Sequence, residues 1–295
     1  MRAAAIFGLG SSSKDLKPFQ QNSDVEWRIG MPASSTEADA VVVFGGDGTV
    51  HRHLSSLAKL NLPVLVVPCG SGNDFARALG LRKVRDSVAA WQKFLVEPSN
   101  VRTIDLGTIT PLAHKPTLDG EKPHYFCCIA GLGLDAEVAS RANRLPRWLR
   151  GHGGYALRLP SALVRFAALP MKISVPSDVS GWSVQSDVPI VLAAFANTPV
   201  YGGGMNIAPQ ARLDDGKLDV CLVRGINPFK LFCLFPTVYF GGHLRMKKEV
   251  NYFSASRLRV ETEHPLEVYA DGEFVCQTPI DVGVAPAALR VIIPG

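Results

Sequence analysis

Three short stretches of the 295-residue sequence hold residue types and spacings that can do chemistry. The first is FGGDGTV (44–50). An apolar run that ends in Gly-Gly-Asp-Gly-Thr and passes into a helical pattern presents backbone N–H groups at a helix N-terminus, and its glycines let a phosphate approach the backbone. Asp47 in the middle of such an anion cradle would repel a phosphate directly. Its presence points to an intervening Mg2+ or water, or to a proton-accepting role; the plainer alternative is a tight turn closed by the Asp47 side chain on the backbone. The second stretch is PCGSGNDFARALG (68–80), again a glycine turn that opens a helix. Ser71 and Asn73 offer short neutral hydrogen-bonding groups there, and Asp74 reads as the cap of the helix that follows. The third is Asp271-Gly272-Glu273, where Asp-Gly between two apolar runs signals a hairpin turn that carries two carboxylates.

The elements that must position these residues are legible from hydrophobic period. AVVVF (40–44) and LPVLVVP (62–68) are continuous Val-rich runs that end in Gly or Pro, the pattern of buried parallel strands. Between them VHRHLSSLAKL (50–60) spaces Val50, Leu54, Leu57 and Ala58 at helical intervals, which predicts a right-handed βαβ unit. Both glycine turns then lie at the carboxyl end of the sheet, where open α/β sheets bind ligands, and should share one ligand. A first strand is predicted in AAAIF and a helix over 85–97. From about residue 100 the character changes. TIDLGTI, HYFCCIAG, PMKISV, PIVLAAFAN, KLDVCLV, RLRVETE, LEVYADGEF and ALRVIIPG are strand-like runs separated by turns, which predicts a largely antiparallel second domain. The expected division is an α/β domain over 1–105 and a β domain over 106–285, with the boundary between 98 and 110 and the last strand, about 286–295, free to return to the first domain.

Composition and charge narrow the class. With 47% hydrophobic and 19% charged residues the chain has material for a core and too little charge for disorder. The six cysteines form no CxxC pair and no regular framework, which argues against disulfides and zinc and fits a reducing cytoplasm. The N-terminal apolar stretch is too short for a signal peptide. Residues 138–177 hold seven basic residues and no acid, so the rest of the chain is slightly acidic although the net charge is +5. A second acid-free window, 220–248, surrounds LFCLFPTVYF (231–240), ten residues that cannot cross a bilayer. Basic residues among Trp148, Leu149, Leu157, Leu163 and Phe166 suit a surface lying on anionic lipid, with Trp148 and Leu149 between Arg147 and Arg150 expected to enter the interface. The competing reading is a solvated basic helix face. No nucleic-acid motif accompanies the charge, so nucleic acid is not an expected partner. GLGLDA (131–136) formally matches GxGxxA but is followed by no acid for a ribose over 138–177. There is no Walker A, GxSxG or HExxH pattern.

The ordered set GGDGTV, GSGNDFARALG, AGLGLDAEV (130–138), YGGGMNIAPQARLDDGKLDV (201–220), GGHLRMKKEV (241–250) and YADGEFV (269–275) resembles the catalytic domain of the diacylglycerol kinase and sphingosine kinase superfamily, especially its bacterial lipid kinase branch. The resemblance runs from about residue 40 to the end. It implies an α/β nucleotide domain, an antiparallel β domain and an active site in the cleft between them. It also implies a Mg2+-dependent, ATP-using kinase that phosphorylates a lipid hydroxyl, cytoplasmic and peripheral at the inner face of the membrane. Carried over residue by residue, Gly46, Asp47, Gly48 and Thr49 meet the phosphates, with Asp47 in the Mg2+ and water network. Ser71, Gly72 and Asn73 contact nucleotide. Glu273 is the proton acceptor. Asp215, with the backbone carbonyls of Arg212 and Lys217, holds a structural Mg2+.

Phosphoryl transfer suits such a set, since it needs a cation across the phosphates, an in-line hydroxyl and a nearby carboxylate more than covalent chemistry. On this reading Asp47→Asn removes transfer and leaves the fold intact. Three features depart from the family pattern: FGLGSSSKD replaces an Asn-Pro loop after the first strand, the stretch from 20 to 40 is short for the helix and threonine-bearing strand end that precede GGDGT, with Ser34, Ser35 and Thr36 as substitutes, and Arg52 stands where a Glu is common. The alternatives are a NAD kinase-like enzyme, which shares GGDGT, and a non-catalytic lipid- or nucleotide-binding pseudokinase. The lipid, the nucleotide and the oligomeric state are not encoded in any short motif.

Overall fold

The computed structural model describes residues 1–21, 24–112, 122–134, 136, 137, 139, 167–178 and 181–295. The chain folds as two units, one of Met1–Leu106 with Pro286–Gly295 and one of Gly107–Ala285.

The first unit is built on parallel strands. Its elements are β1 (Arg2–Phe7), β2 (Glu26–Ile29), β3 (Ala40–Gly45), α1 (Asp47–Leu60), β4 (Val64–Pro68), α2 (Asp74–Ala78) and α3 (Val84–Val96). The strand order is β4-β3-β1-β2, all pairs parallel, with Ala5 opposite Val42 and Val43 opposite Val66. Every residue of β3 is buried, which is why its sequence shows no alternation: both faces of a parallel sheet are covered. Helix α1 buries Val50, Leu54 and Leu57 and ends at Asn61, whose φ of 52° turns the chain back toward β4. Helix α3 buries Ala90, Trp91 and Phe94, and the Ser87 hydroxyl on it donates to the Val66 carbonyl of β4 at 2.9 Å.

The second unit is antiparallel. β5 (Val101–Pro111) begins in the first unit and ends in the second. β6 (His124–Phe126), β7 (Ile129–Gly133), β8 (Leu169–Ser177), β9 (Gly181–Ala196) and β10 (Leu218–Arg224) precede the helix α4 (Pro228–Val238). Then come β11 (Val250–Ala255), β12 (Arg257–Thr262), β13 (Glu267–Ala270), β14 (Glu273–Gln277) and β15 (Ile280–Ile292). Strands β14, β13, β7, β9, β8, β12 and β15 neighbour one another in that order, and β10 lies between β9 and β11. Their inward residues make one core, with Phe126, Leu132, Ile173, Phe195, Leu222, Val260 and Ile280 at its centre. The tail of β15 belongs to the first unit, where Val291 pairs in parallel with Val64.

The parallel α/β sheet and the antiparallel β domain expected from the sequence are both present. Two sequence runs break where the structure turns. HYFCCIAG divides at Cys127-Cys128 into β6 and β7, and LEVYADGEF divides at Asp271-Gly272 into the β13–β14 hairpin. No helix among the described residues is long and apolar enough to cross a membrane.

Candidate functional site

In the first unit the two glycine loops at the carboxyl ends of β3 and β4 interlock. A Cβ on Gly46 would run into the Gly72 carbonyl oxygen and the Gly70 Cα, and a Cβ on Gly70 would run into Gly46. Glycine at 46 and 70 is therefore required for the backbones to approach. The Asp47 N–H donates to the Gly72 carbonyl at 3.1 Å. The Asp47 carboxylate reaches across to the other loop: Oδ2 accepts the Asp74 N–H at 2.9 Å and Oδ1 accepts the Phe75 N–H at 3.0 Å.

This corrects the reading of the helix cap. The carboxylate that caps α2 is Asp47, which lies 27 residues upstream, while the Asp74 side chain pairs with Arg77. Asn73, at the first position before α2, makes no cap bond; its side chain braces its own loop, accepting the Gly70 N–H at 3.0 Å and donating to the Gly70 carbonyl at 2.7 Å.

Gly46, Asp47, Gly48, Thr49, Ser71, Gly72 and Asn73 thus come together on one pair of loops. Ser71 and Gly72 are exposed, while Gly46, Asp47, Gly48 and Asn73 are half-buried. The N-terminus of α1 carries no side-chain cap; its first N–H, that of Asp47, is taken by the Gly72 carbonyl, and the Thr49 and Val50 N–H groups donate to the Gly46 carbonyl at 2.9 and 3.2 Å. Thr49 is buried, its side chain filling the space beside Gly8 and Gly45, where a Cβ on either would overlap it. Ser11, in the loop that replaces the Asn-Pro pattern, donates to both the Gly8 and Phe44 carbonyls, at 2.9 and 2.8 Å, and ties the end of β1 to the end of β3. Arg52 is exposed one turn along α1, and burial, with the charge of Arg52, holds the His53 imidazole below its ordinary value.

In the second unit Asp271 and Gly272 have φ of 51° and 83° and form the hairpin turn. The Asp271 carboxylate accepts the backbone N–H groups of Cys127 (2.9 Å), Cys128 (2.8 Å) and Ile129 (3.3 Å). The Asp271 N–H in turn donates to the Ile129 carbonyl at 2.9 Å. The hairpin is therefore pinned to the β6–β7 bend, and Glu273 follows at the start of β14, exposed and opposite Ala270. Spacing alone did not reveal the Cys127-Cys128 bend as the seat of this turn. The signal available was a pair of small residues interrupting an otherwise continuous apolar run.

Arg212, Asp215 and Lys217 share the exposed turn that leads into β10. Asp215 Oδ1 accepts the Lys217 N–H at 3.1 Å, and the Arg212 guanidinium lies 3.8 Å from Asp214. The interface residues expected around Trp148 and Leu149 lie outside the described residues.

Comparison with known proteins supplies the family. Residues 20–109 match the diacylglycerol kinase catalytic domain, and residues 128–293 match the YegS C-terminal NAD kinase beta sandwich-like domain. A diacylglycerol kinase of Mycobacterium tuberculosis is 36% identical over 256 residues, 87% of this chain and 77% of that protein. Among solved structures, a diacylglycerol kinase from Bacillus anthracis superposes with a TM-score of 0.68 at 19% identity, covering 99% of this chain and 96% of that one. A NAD kinase from Archaeoglobus fulgidus in complex with ATP shares the fold with a TM-score of 0.54 at 17% identity, covering 100% of this chain and 94% of that one.

Proposed function

The chain belongs to the diacylglycerol kinase family of lipid kinases, and on that premise we propose that it transfers the γ-phosphoryl group of ATP, with Mg2+, to a hydroxyl of a membrane lipid such as diacylglycerol. The observation that carries the reading is the pair of glycine loops at the ends of adjacent parallel strands, locked together by Asp47 at a helix N-terminus that has no side-chain cap. That arrangement suits an anionic phosphate chain. Gly46, Asp47, Gly48 and Thr49 form one wall for the phosphates, and Ser71, Gly72 and Asn73 the other.

The donors available fit Mg2+, a hard cation that takes oxygen ligands. Asp47, Asp215 and Glu273 are all carboxylates, and Asp215 stands on an exposed turn. Bound at the loops, Mg2+ supplies charge neutralisation on the phosphates. Asp47 keeps the two loops in register through its bonds to the Asp74 and Phe75 N–H groups and would offer its carboxylate to the Mg2+ and its water. Glu273 takes the proton of the lipid hydroxyl as its oxygen attacks the γ-phosphorus, and the bond to the bridging oxygen breaks to leave ADP. Asp215, with the carbonyls of Arg212 and Lys217, would hold a second Mg2+ whose role would be to order the second unit and not to take part in the transfer.

The test is to incubate the protein with Mg2+ and γ-labelled ATP in the presence of vesicles carrying a panel of hydroxyl lipids, and with NAD in a parallel tube. Label in the organic phase is the expected result. Label on NAD, or only on inorganic phosphate, overturns the reading.

A further inference from the structure

Helix α4 is apolar on two faces. Leu231, Leu234 and Val238 point into the second unit and are buried. Phe229, Phe232, Cys233 and Pro236 recur at the three- and four-residue spacing of the opposite face, and all four are exposed. Phe229 is 75% exposed, Phe232 53%, and Phe240, just past the helix, 87%; Tyr239 beside it is exposed as well. A helix apolar all round is ordinarily enclosed, and a row of exposed phenylalanines marks a surface that meets a partner.

Charge identifies the partner. Residues 220–248 contain no Asp or Glu, and Arg224, Lys230, Arg245, Lys247 and Lys248 are all exposed within them. The next acid, Glu249, is already paired with Lys230 at 3.4 Å. A twofold interface through this face would set like charges against each other, because such an interface is self-complementary. An anionic leaflet instead attracts the cations and receives the aromatic rings at its headgroup level. We propose that α4, with Tyr239, Phe240 and the Lys247-Lys248 pair that follow, docks the protein on an anionic lipid surface, Phe229, Phe232 and Phe240 entering the interface. This docking role rests on the lipid-kinase reading for its purpose, since the substrate sits in a bilayer, but lipid binding requires neither ATP nor turnover.

The test is flotation with vesicles of phosphatidylglycerol and phosphatidylcholine against vesicles of phosphatidylcholine alone. The wild-type protein should float with the anionic vesicles and lose binding as salt rises. The variant Phe229→Ser/Phe232→Ser/Phe240→Ser should partition at least about tenfold less, because each fully buried Phe is worth more than the free energy of one decade. Lys247→Gln/Lys248→Gln should weaken binding to anionic vesicles and leave any binding to neutral ones unchanged. Hydrogen exchange on the unaltered protein makes the assignment independent of substitutions: anionic vesicles should protect 228–240. Undiminished flotation of the phenylalanine variant overturns the proposal, as does protection confined to other segments. So does a sedimentation change from dimer to monomer in that variant with vesicle binding intact. A protein that floats through α4 yet phosphorylates no lipid would refute the kinase reading and leave the docking surface standing.

Discussion

Replacing Asp47 by Asn keeps the size of the side chain and removes its charge, and the structure sets what that should cost. Each Asp47 oxygen accepts a backbone N–H from the first turn of α2, at 2.9 and 3.0 Å. Asn retains one acceptor. Its NH2 group then faces an N–H donor, so one charge-assisted bond is lost and the other becomes a neutral one. Bonds to charged groups contribute about 1.5–3 kcal/mol and neutral ones about 0.5–1.5 kcal/mol. The loss is therefore about 2.5–4.5 kcal/mol, at the lower end for a half-buried site where water reaches the freed N–H. A loss of that size lowers stability and leaves the fold in place, as the sequence-based expectation has it. For a chain of 295 residues about 2.5 kcal/mol lowers Tm by about 4 °C. Thermal melting, hydrogen exchange at the Asp74 and Phe75 amides and lipid phosphorylation should be measured on the same preparation. The expected outcome is a lower Tm, faster exchange at those two amides, and activity reduced by about 10²–10⁴-fold. A variant that melts with the wild type and protects both amides equally would refute the capping argument, whatever its activity.

Glu273→Gln should reduce kcat by about 10²–10⁴-fold and leave Tm nearly unchanged because the residue is exposed; wild-type turnover would remove Glu273 as the base. Asp215→Ala should abolish the rise in melting temperature that Mg2+ produces, and a rise of undiminished size would sink the proposed metal turn. Burial holds the His243 imidazole below its ordinary value, against a smaller upward pull from the Ile207 carbonyl it meets at 3.0 Å. Its folded pKa is thus lower than its unfolded one, so the unfolded state binds more protons and stability falls as pH drops from about 6.5 toward the folded value. Denaturant unfolding between pH 7 and 5 should show that slope, and His243→Gln should flatten it.

The parts of the fold most readily read from sequence are those whose signal is local. β3 and β4 are unbroken Val-rich runs because parallel strands are covered on both faces, and Asp271-Gly272 announces its own turn through the positive φ both residues adopt. In the sequence helix α4 shows only as an apolar stretch. Its outer positions 229, 232, 233 and 236 are as apolar as its inner positions 231, 234 and 238, so no helical period stands out. β2 (Glu26–Ile29) is short and mostly exposed and gives no pattern at all. The candidate site divides the same way. Its glycine loops follow from their residues, but the bonds that fix it join positions 27 and 28 apart for Asp47 and 142 to 144 apart for Asp271. Asp74 was read as a helix cap because the local rule favours the nearest short acid; tertiary packing delivered Asp47 to that place instead.

Transfer of the γ-phosphoryl group to a lipid hydroxyl can be read by mass spectrometry of the lipid recovered after reaction with ATP and Mg2+, using diacylglycerol and its O-methyl ether in the same vesicles. Diacylglycerol should gain the mass of one phosphoryl group, while the ether, which has no hydroxyl to attack, should be recovered unchanged. ATP consumed with no phosphorylated diacylglycerol, or equal modification of the ether, would contradict such transfer.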